Sequence, residues 1–428
     1  MLVESILMMF LVEAAPTEQQ VITRFDRQSA FSKSFSISQF PAVDAPPTIS
    51  KITKVDQPAF IFKFQCDQSI PAKNCELAKQ GFQNAGARIA KVLNIKETIV
   101  VNAVYHSLCK ANNYMNCANL NRTLGQASAS SYFPARVVGK SDYLYYPQAL
   151  VKQLQKKETL TYAPSDIFAE FNSDFPFYFK DSGLPINRND TDFEFVVTHE
   201  MTHGLAFDSE LVHFANFYQS LNLATSSKYL APLPFSQGSG QASAIVTSTS
   251  PISAYDSFIR QGSNNFLDLG RRMTQFNGKK MTVAEYVKAF ENSGDPMTAA
   301  TAAYKMAVSS QLKFITSSNL EIPLNSPDSF APGTSVVHVD PSLANTKDFL
   351  MIPAVEGLVG QKLDDIIQKA GGSEVYGPGI IAMMQTLGWP TKDTSAVASI
   401  EIGKSTASSA LGVHTRLAVL MLAAWLFM

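Results

Sequence analysis

Charge is scarce in this chain of 428 residues. Charged residues make up 17% of the sequence and the net charge is −1. There is no excess of lysine and arginine that could neutralise a phosphate backbone, which argues against nucleic acid as a partner. Aromatic residues reach 11%, too many for a largely disordered chain. The length suffices for one large core or two lobes.

Cysteine is also rare, with only Cys66, Cys75, Cys109 and Cys117. No Cys-x-x-Cys spacing occurs, so a cysteine metal site is not indicated. An even number of cysteines in an exported chain predicts disulfides. Of the three possible connectivities, Cys66–Cys75 with Cys109–Cys117 is the simplest. Residues 16–55 contain no cysteine, are polar and contain proline, and are interpreted as a lead-in or a propeptide.

No apolar run reaches the roughly 20 residues that a membrane helix needs. Residues 1–15 carry a short apolar stretch followed by small residues, which predicts a signal peptide. Residues 417–428 are wholly apolar and follow a Ser, Thr and Ala-rich tract, interpreted as a stalk over 393–416. Small residues, a polar spacer and an apolar tail are typical of a GPI attachment signal, with Ser405 or Ser408 as acceptor candidates.

Two glycosylation sequons occur, at Asn121 and Asn189, and they can be modified only if the chain is exported. We therefore expect a secreted protein at the cell surface. We expect it to meet the membrane only through a lipid anchor and to be a monomer.

The most informative feature is the run His199-Glu200-Met201-Thr202-His203. Two histidines four residues apart lie on one face of a helix and can share one Zn²⁺. Glu200 can then reach the attacking water as general base. The preceding residues are apolar, which predicts a buried helix, and Thr191–Glu194 fits a capping box. The alternative is a chance motif with two solvated histidines and no metal.

Catalytic zinc usually has three protein ligands, so a third must be found among the remaining residues. No Asp or Glu occurs between Glu210 and Asp256, and Ser209, six residues after His203, is no zinc ligand. His213 lies among apolar residues and is interpreted as a packing or surface histidine.

His338 is the better candidate for the third ligand. It stands in a short strand-like run over 333–340, after a proline and glycine turn. Thirteen residues later comes Met351, followed by Ile352 and Pro353. The alternative readings are a satisfied buried histidine at 338 and ordinary core packing for the methionine.

This combination resembles the leishmanolysin-like branch of the metzincin zinc metallopeptidases. In that branch a long insertion displaces the third histidine, and a Leu-Met turn, the Met-turn, follows it. The segment 377–389 is similar to the helix ending in a Gly-aromatic step that comes next. The resemblance covers roughly residues 60–390. It departs from the family after the second histidine, where Ala206 replaces the usual glycine and Gly204 stands two residues earlier.

The resemblance implies an α+β fold with two lobes. The N-terminal catalytic lobe, 56–210, would hold a mixed sheet and the metal-binding helix. An insertion over 211–332 would precede a C-terminal lobe of helix and loop over 333–392. Apolar spacing predicts helices over 77–93, 283–290 and 363–369 and a strand over 98–105.

The implied activity is that of a zinc metalloendopeptidase acting on protein or peptide substrates, with one catalytic Zn²⁺ held by His199, His203 and His338. Glu200 is then the general base, and Met351 shapes the floor below the metal. The alternative function is a catalytically inactive surface adhesion or binding protein built on a metallopeptidase fold.

Overall fold

A computed structural model describes residues 20–27, 35–44, 57–111, 123–213, 228–232, 234–237, 245–249, 252–276, 281–353, 358–394 and 398–406. Within these ranges the α-helices are α1 (Ala72–Val92), α2 (Leu108–Ala111), α3 (Gln148–Gln153), α4 (Phe193–Gly204), α5 (Phe266–Thr274), α6 (Val283–Glu291), α7 (Asp295–Ala307), α8 (Leu363–Lys369) and α9 (Pro378–Leu387).

Strands lie on both sides of α4 in the chain. Those before it are β1 (Gln20–Arg27), β2 (Phe35–Pro41), β3 (Val43–Asp44), β4 (Phe60–Cys66), β5 (Ile99–His106), β6 (Gly125–Ala129), β7 (Ser131–Val137), β8 (Leu144–Pro147), β9 (Glu158–Thr159), β10 (Ile167–Asn172), β11 (Phe177–Tyr178) and β12 (Thr191–Asp192). Those after it are β13 (Leu211–His213), β14 (Leu230–Pro232), β15 (Pro234–Gln237), β16 (Ile245–Thr249), β17 (Ile259–Gln261), β18 (Asn264–Asn265), β19 (Met281–Thr282), β20 (Lys313–Ile315), β21 (Glu321–Pro323), β22 (Ile400–Ile402) and β23 (Lys404–Thr406).

A mixed sheet in the order β4-β5-β10-β6 supports helix α4, which carries His199 and His203. β4, β5 and β10 are parallel, and β6 is antiparallel at one edge. Alternate residues of β5 are buried, because one face of the sheet packs against α1 and α4. Phe82 of α1 lies between the sheet and α4, in edge-to-face contact with Phe171 and Phe193. The helix predicted over 77–93 and the strand predicted over 98–105 are therefore confirmed, and the overall class is α+β.

A second sheet joins the two ends of the described chain. Its order is β2-β1-β7-β22, with β23 also paired to β1 and β8 to β7. Residues 20–27 and 35–44 are not loose, because they form strands and buried residues of β1, such as Ile22 and Phe25, pack inside the fold. The propeptide interpretation stays a prediction. The structure also differs from the expected stalk, since β22 and β23 lie within 393–416. Such short strands have too few residues for a periodic signal.

The described residues of 211–332 and 333–392 pack into the same body as those of 56–210. One continuous cluster of buried apolar residues runs from Ile22 to Ile402. Within 333–392, the described residues form helices and loops. The helices predicted over 283–290 and 363–369 are α6 and α8. None of the helices described here has both the length and the apolar character needed to cross a bilayer.

One predicted disulfide, Cys66–Cys75, is confirmed, with an S–S distance of 2.06 Å. Cys109 is also disulfide-bonded, and Cys117 lies outside the described residues. Asn189 is exposed in a turn, where a glycan has room.

The remaining predictions about the ends and the modification sites fall partly on described residues. Ser405 belongs to β23 and pairs with Val21, so this acceptor candidate lies in a sheet and not in a spacer. Asn121, Ser408 and the segments 1–15 and 417–428 lie outside the described residues.

Candidate metal centre

Helix α4 carries two of the three predicted ligands and begins at the cap residue Asp192. The Asp192 carboxylate accepts hydrogen bonds from the Phe195 N–H (3.2 Å) and from the Leu363 N–H (2.9 Å). The predicted cap, Thr191, was one residue early, because the side chain of Asp192 accepts the hydrogen bond from the helix N–H. An acidic cap satisfies a helix N–H and suits the positive end of the helix dipole. Eleven of the twelve residues of α4 are buried, as its apolar sequence predicted.

The three predicted ligands, His199, His203 and His338, meet at one point. Their ring centroids form a nearly equilateral triangle with sides of 5.0, 4.9 and 5.0 Å. The Nε2 atoms of His199 and His338 are 3.1 Å apart. Nitrogens bound tetrahedrally to one zinc ion at 2.0–2.1 Å would be separated by about 3.3 Å. Among the described residues these three form the group of potential metal ligands that converges within 4.8 Å.

Each imidazole is oriented by a backbone carbonyl. The Nδ1 of His199 lies 2.6 Å from the Leu350 oxygen, that of His203 lies 2.7 Å from the Phe207 oxygen, and that of His338 lies 3.0 Å from the Thr334 oxygen. A carbonyl only accepts, so these contacts assign the proton to Nδ1 in all three rings. The lone pair of each ring is then on Nε2, and those of His199 and His338 face each other. Carbonyls commonly orient metal-binding histidines in this way.

The electrostatics of the triangle fit a cation at its centre. Burial, and then the neighbouring His203, lowers the pKa of His199 to about 3. Burial lowers the pKa of His338 well below its usual value, and the other two imidazoles add to this shift. Neutral rings with converging lone pairs repel one another unless a positive charge lies between them. The residues present therefore suit one Zn²⁺, for which three neutral imidazoles are a common catalytic donor set.

Glu200 lies beside the triangle and is partly exposed. Its Oε2 accepts a hydrogen bond from the Ala127 N–H at 3.1 Å, so the carboxyl group is anchored to the edge strand β6. Loss of surrounding water raises the pKa of Glu200 to about 8, an effect that the Ala127 N–H opposes. A cation nearby would favour the ionised carboxylate.

Met351 ends a tight 3-10 turn, Phe349–Met351, that lies against α4. Its side chain is fully buried and its carbonyl accepts a hydrogen bond from the Val339 N–H at 2.8 Å. The preceding carbonyl, of Leu350, is the one that orients His199. The turn thus contacts both histidine-bearing segments, and the prediction that a turn stands at Met351 is confirmed.

The segment that carries His338 is not the strand that its sequence suggested. Residues 333–338 form a turn and bends, and only Val339 makes an isolated bridge, to Leu324. Val336 has a φ of +77°, which no strand contains. Apolar β-branched residues favour strands locally, but tertiary contacts override that preference here.

The end of α4 shows why Gly204 stands where it does and how the chain turns at Ala206. Gly204 is the last helical residue, and a Cβ there would come within 2.6 Å of Ile167 Cγ2 on β10. Gly204 therefore allows the helix to approach the sheet closely. Ala206, at the usual glycine position, adopts a φ of +104°. The chain still turns there, although an alanine adopts that conformation at a cost.

Helix α9 connects the end of α4 with the segment before the Met351 turn. It ends at Leu387, its C-cap Gly388 has a φ of +110°, and Trp389 follows. The Trp389 Nε1–H donates to the Leu205 carbonyl at 2.6 Å, just after α4. At the other end, the Asp348 carboxylate accepts from the Ile380 N–H at 2.9 Å, just before the Met351 turn. The Gly-aromatic step in the sequence pointed to Trp389. No sequence pattern singled out Asp348.

His213, the rejected ligand, lies outside the triangle. Its ring stacks on Phe330 with centroids 5.3 Å apart and also contacts Tyr304. The neighbouring Ser209 donates a hydrogen bond to Asp256, a structural role. The interpretation of His213 as a packing residue is therefore confirmed.

Fold and site together define an α+β protein with a buried three-histidine centre. The chain belongs to the SPBPB7E8-like family, whose model matches residues 27–403. It is similar to the uncharacterized protein PB7E8.01 of Schizosaccharomyces pombe, with 29% identity over 201 residues. That match covers 42% of this chain and 34% of the relative, so the chain spans about a third of the relative's length. No solved structure matches.

Proposed function

We propose that this protein is a zinc-dependent endopeptidase with a metzincin-like fold of the leishmanolysin-like branch. The observation that carries the proposal is the convergence of His199, His203 and His338 within 4.8 Å. Glu200 follows His199 on the same helix and is hydrogen-bonded to Ala127. The resemblance noted from the sequence and the turn at Met351 support the same conclusion.

Each residue of the site has a distinct task in such a reaction. His199, His203 and His338 would hold a zinc ion, which would act as a Lewis acid and would lower the pKa of a water molecule to roughly 7. Glu200 accepts the proton of the attacking water and passes it to the leaving amine nitrogen. The Ala127 N–H holds one oxygen of Glu200, which fixes the direction of this transfer.

The edge strand β6 supports a peptide as the substrate. Among the described residues β6 pairs only with β10, and the Ala127 N–H points from β6 toward the site. An extended peptide can add to such an edge through main-chain hydrogen bonds. The scissile bond would then lie next to the three histidines.

The cellular setting remains part of the proposal. Paired cysteines support an oxidising compartment and therefore export. A cell-surface location through a lipid anchor rests on the sequence pattern of the tail alone.

Glu200→Gln tests the proposal. The variant should keep wild-type zinc content but lose hydrolysis of denatured casein by at least about 100-fold, because the amide cannot accept the proton. Glu321→Gln, a substitution of an exposed glutamate on β21, is the matched control and should keep full activity. 1,10-phenanthroline should abolish the wild-type activity.

Full activity in Glu200→Gln contradicts the assigned base. A wild type that binds zinc but cleaves no peptide favours the alternative function, a binding protein on a peptidase fold. A wild type without zinc removes the metal site altogether.

A further inference from the structure

The loop that carries His338 is held by two residues of the insertion. We infer that Tyr255 and Asn325 are positioning residues that keep the third imidazole in the triangle, so that the insertion acts as a clamp on the metal site. This inference rests on the proposed zinc site and assigns to 211–332 a role beyond that of a spacer.

Asn325 contacts the loop at three points. Its N–H donates to the His338 carbonyl at 2.9 Å, and its carbonyl accepts from the Val336 N–H at 2.8 Å. Its side-chain Nδ2 donates to the Thr334 carbonyl at 3.2 Å. That carbonyl is also the one that orients the His338 ring. One buried asparagine therefore fixes both the backbone of the third ligand and the partner of its Nδ1.

The loop needs such support because Val336 is strained. A φ of +77° is a genuine outlier for a β-branched residue, since its Cβ crowds the following carbonyl. Strained residues of this kind persist only where their surroundings hold them, and they cluster at functional sites. Val336 is buried two residues before His338, so relaxation of its backbone would move the ligand.

Tyr255 is the second residue that fixes the loop carrying His338. Its hydroxyl donates to the Val336 carbonyl at 2.9 Å, and its side chain is buried. Its ring packs against Phe207 with centroids 5.0 Å apart. The Phe207 carbonyl is the partner of His203 Nδ1. Tyr255 thus connects the supports of the second and third ligands.

The test measures metal binding, not catalysis. Tyr255→Phe removes one oxygen, and Asn325→Asp keeps the side-chain volume while removing the donor to Thr334. Zinc affinity of the full chain is measured by competition with a chromophoric chelator. We expect each variant to bind zinc roughly 10–100-fold more weakly than the wild type, the usual cost of losing an outer partner of a metal ligand.

Two matched controls come from the same insertion. Tyr304→Phe alters a tyrosine that contacts His213 and not the triangle, and Asn292→Ala alters an exposed asparagine bonded to Lys288. Both should keep wild-type zinc affinity. With Co²⁺ in place of zinc, the visible absorption spectrum should change in the two positioning variants and stay unchanged in the controls.

Wild-type zinc affinity and an unchanged Co²⁺ spectrum in both Tyr255→Phe and Asn325→Asp overturn the inference while the proposed function stands. The same result with a lowered melting temperature also overturns it, because the residues would then stabilise only the fold. Absence of zinc binding in the wild type overturns the proposed function and this inference together.

Discussion

Arg27 in the first described strand donates a hydrogen bond of 2.7 Å to Glu210, 183 residues later in the chain and six residues after the end of α4. Both side chains are almost fully buried, with exposed fractions of 1% and 4%. The Glu210 N–H in turn donates to the Asp256 carboxylate at 3.0 Å. The strand β1 is therefore joined to the segment that follows helix α4.

Arg27→Met should destabilise the protein by about 3–5 kcal/mol, because it leaves a buried carboxylate without its charged partner. The double variant Arg27→Met/Glu210→Leu should recover much of that loss. Urea unfolding measures the free energies. Arg136→Met, which breaks a far more exposed pair with Glu401, should change stability little. Equal effects of the two single variants would contradict the importance of the buried pair.

Two substitutions at the end of α4 should have opposite effects. Gly204→Ala should destabilise by about 1–3 kcal/mol through overpacking against Ile167, although alanine normally stabilises a helix by about 1 kcal/mol. Ala206→Gly should stabilise by about 1 kcal/mol, because glycine adopts a positive φ without strain. Denaturant midpoints of the two variants decide the matter. A stabilising Gly204→Ala would show that the helix does not approach β10 as closely as described.

Trp389→Phe removes the donor to the Leu205 carbonyl while keeping an aromatic ring. The buried carbonyl loses its partner, which should cost about 1–3 kcal/mol. Unfolding of the purified variant measures the loss. Thr386→Val, which removes a half-buried hydroxyl from the same helix α9, is the control and should have a smaller effect. Equal losses in the free energy of unfolding of both variants would show that the hydrogen bond from Trp389 does not stabilise the protein more than that of Thr386.

Zinc should stabilise the wild type against heat. At a free zinc concentration of 100 times the dissociation constant, binding to the native state adds about 2.7 kcal/mol. The melting temperature should fall on chelation and return with added zinc. His338→Ala should lose this response, and His213→Ala should keep it because its ring stacks on Phe330 outside the triangle. A zinc response that survives in His338→Ala would place the ion elsewhere.

Local sequence was sufficient to predict the elements that are marked by residue spacing or by apolar periodicity. The four-residue spacing of His199 and His203 puts both imidazoles on one face wherever the segment is helical. The helix α1, the strand β5 and the Cys66–Cys75 disulfide were likewise predictable from periodicity or short separation. His338 could be singled out because histidine is rare in this chain.

Only the tertiary structure decided how these parts meet. Several features depend on residues that are far apart in the chain. They are the positive φ of Val336, the carbonyls that orient the imidazoles, the hydrogen bonds from Tyr255 and Asn325 to the His338 loop, and the pairing of β1 with β23. Such contacts leave no periodic trace, because each is made by a single residue whose partner is brought near only by folding. The sequence alone therefore indicated which residues could carry the chemistry, whereas the distances between them and their burial were set by tertiary packing.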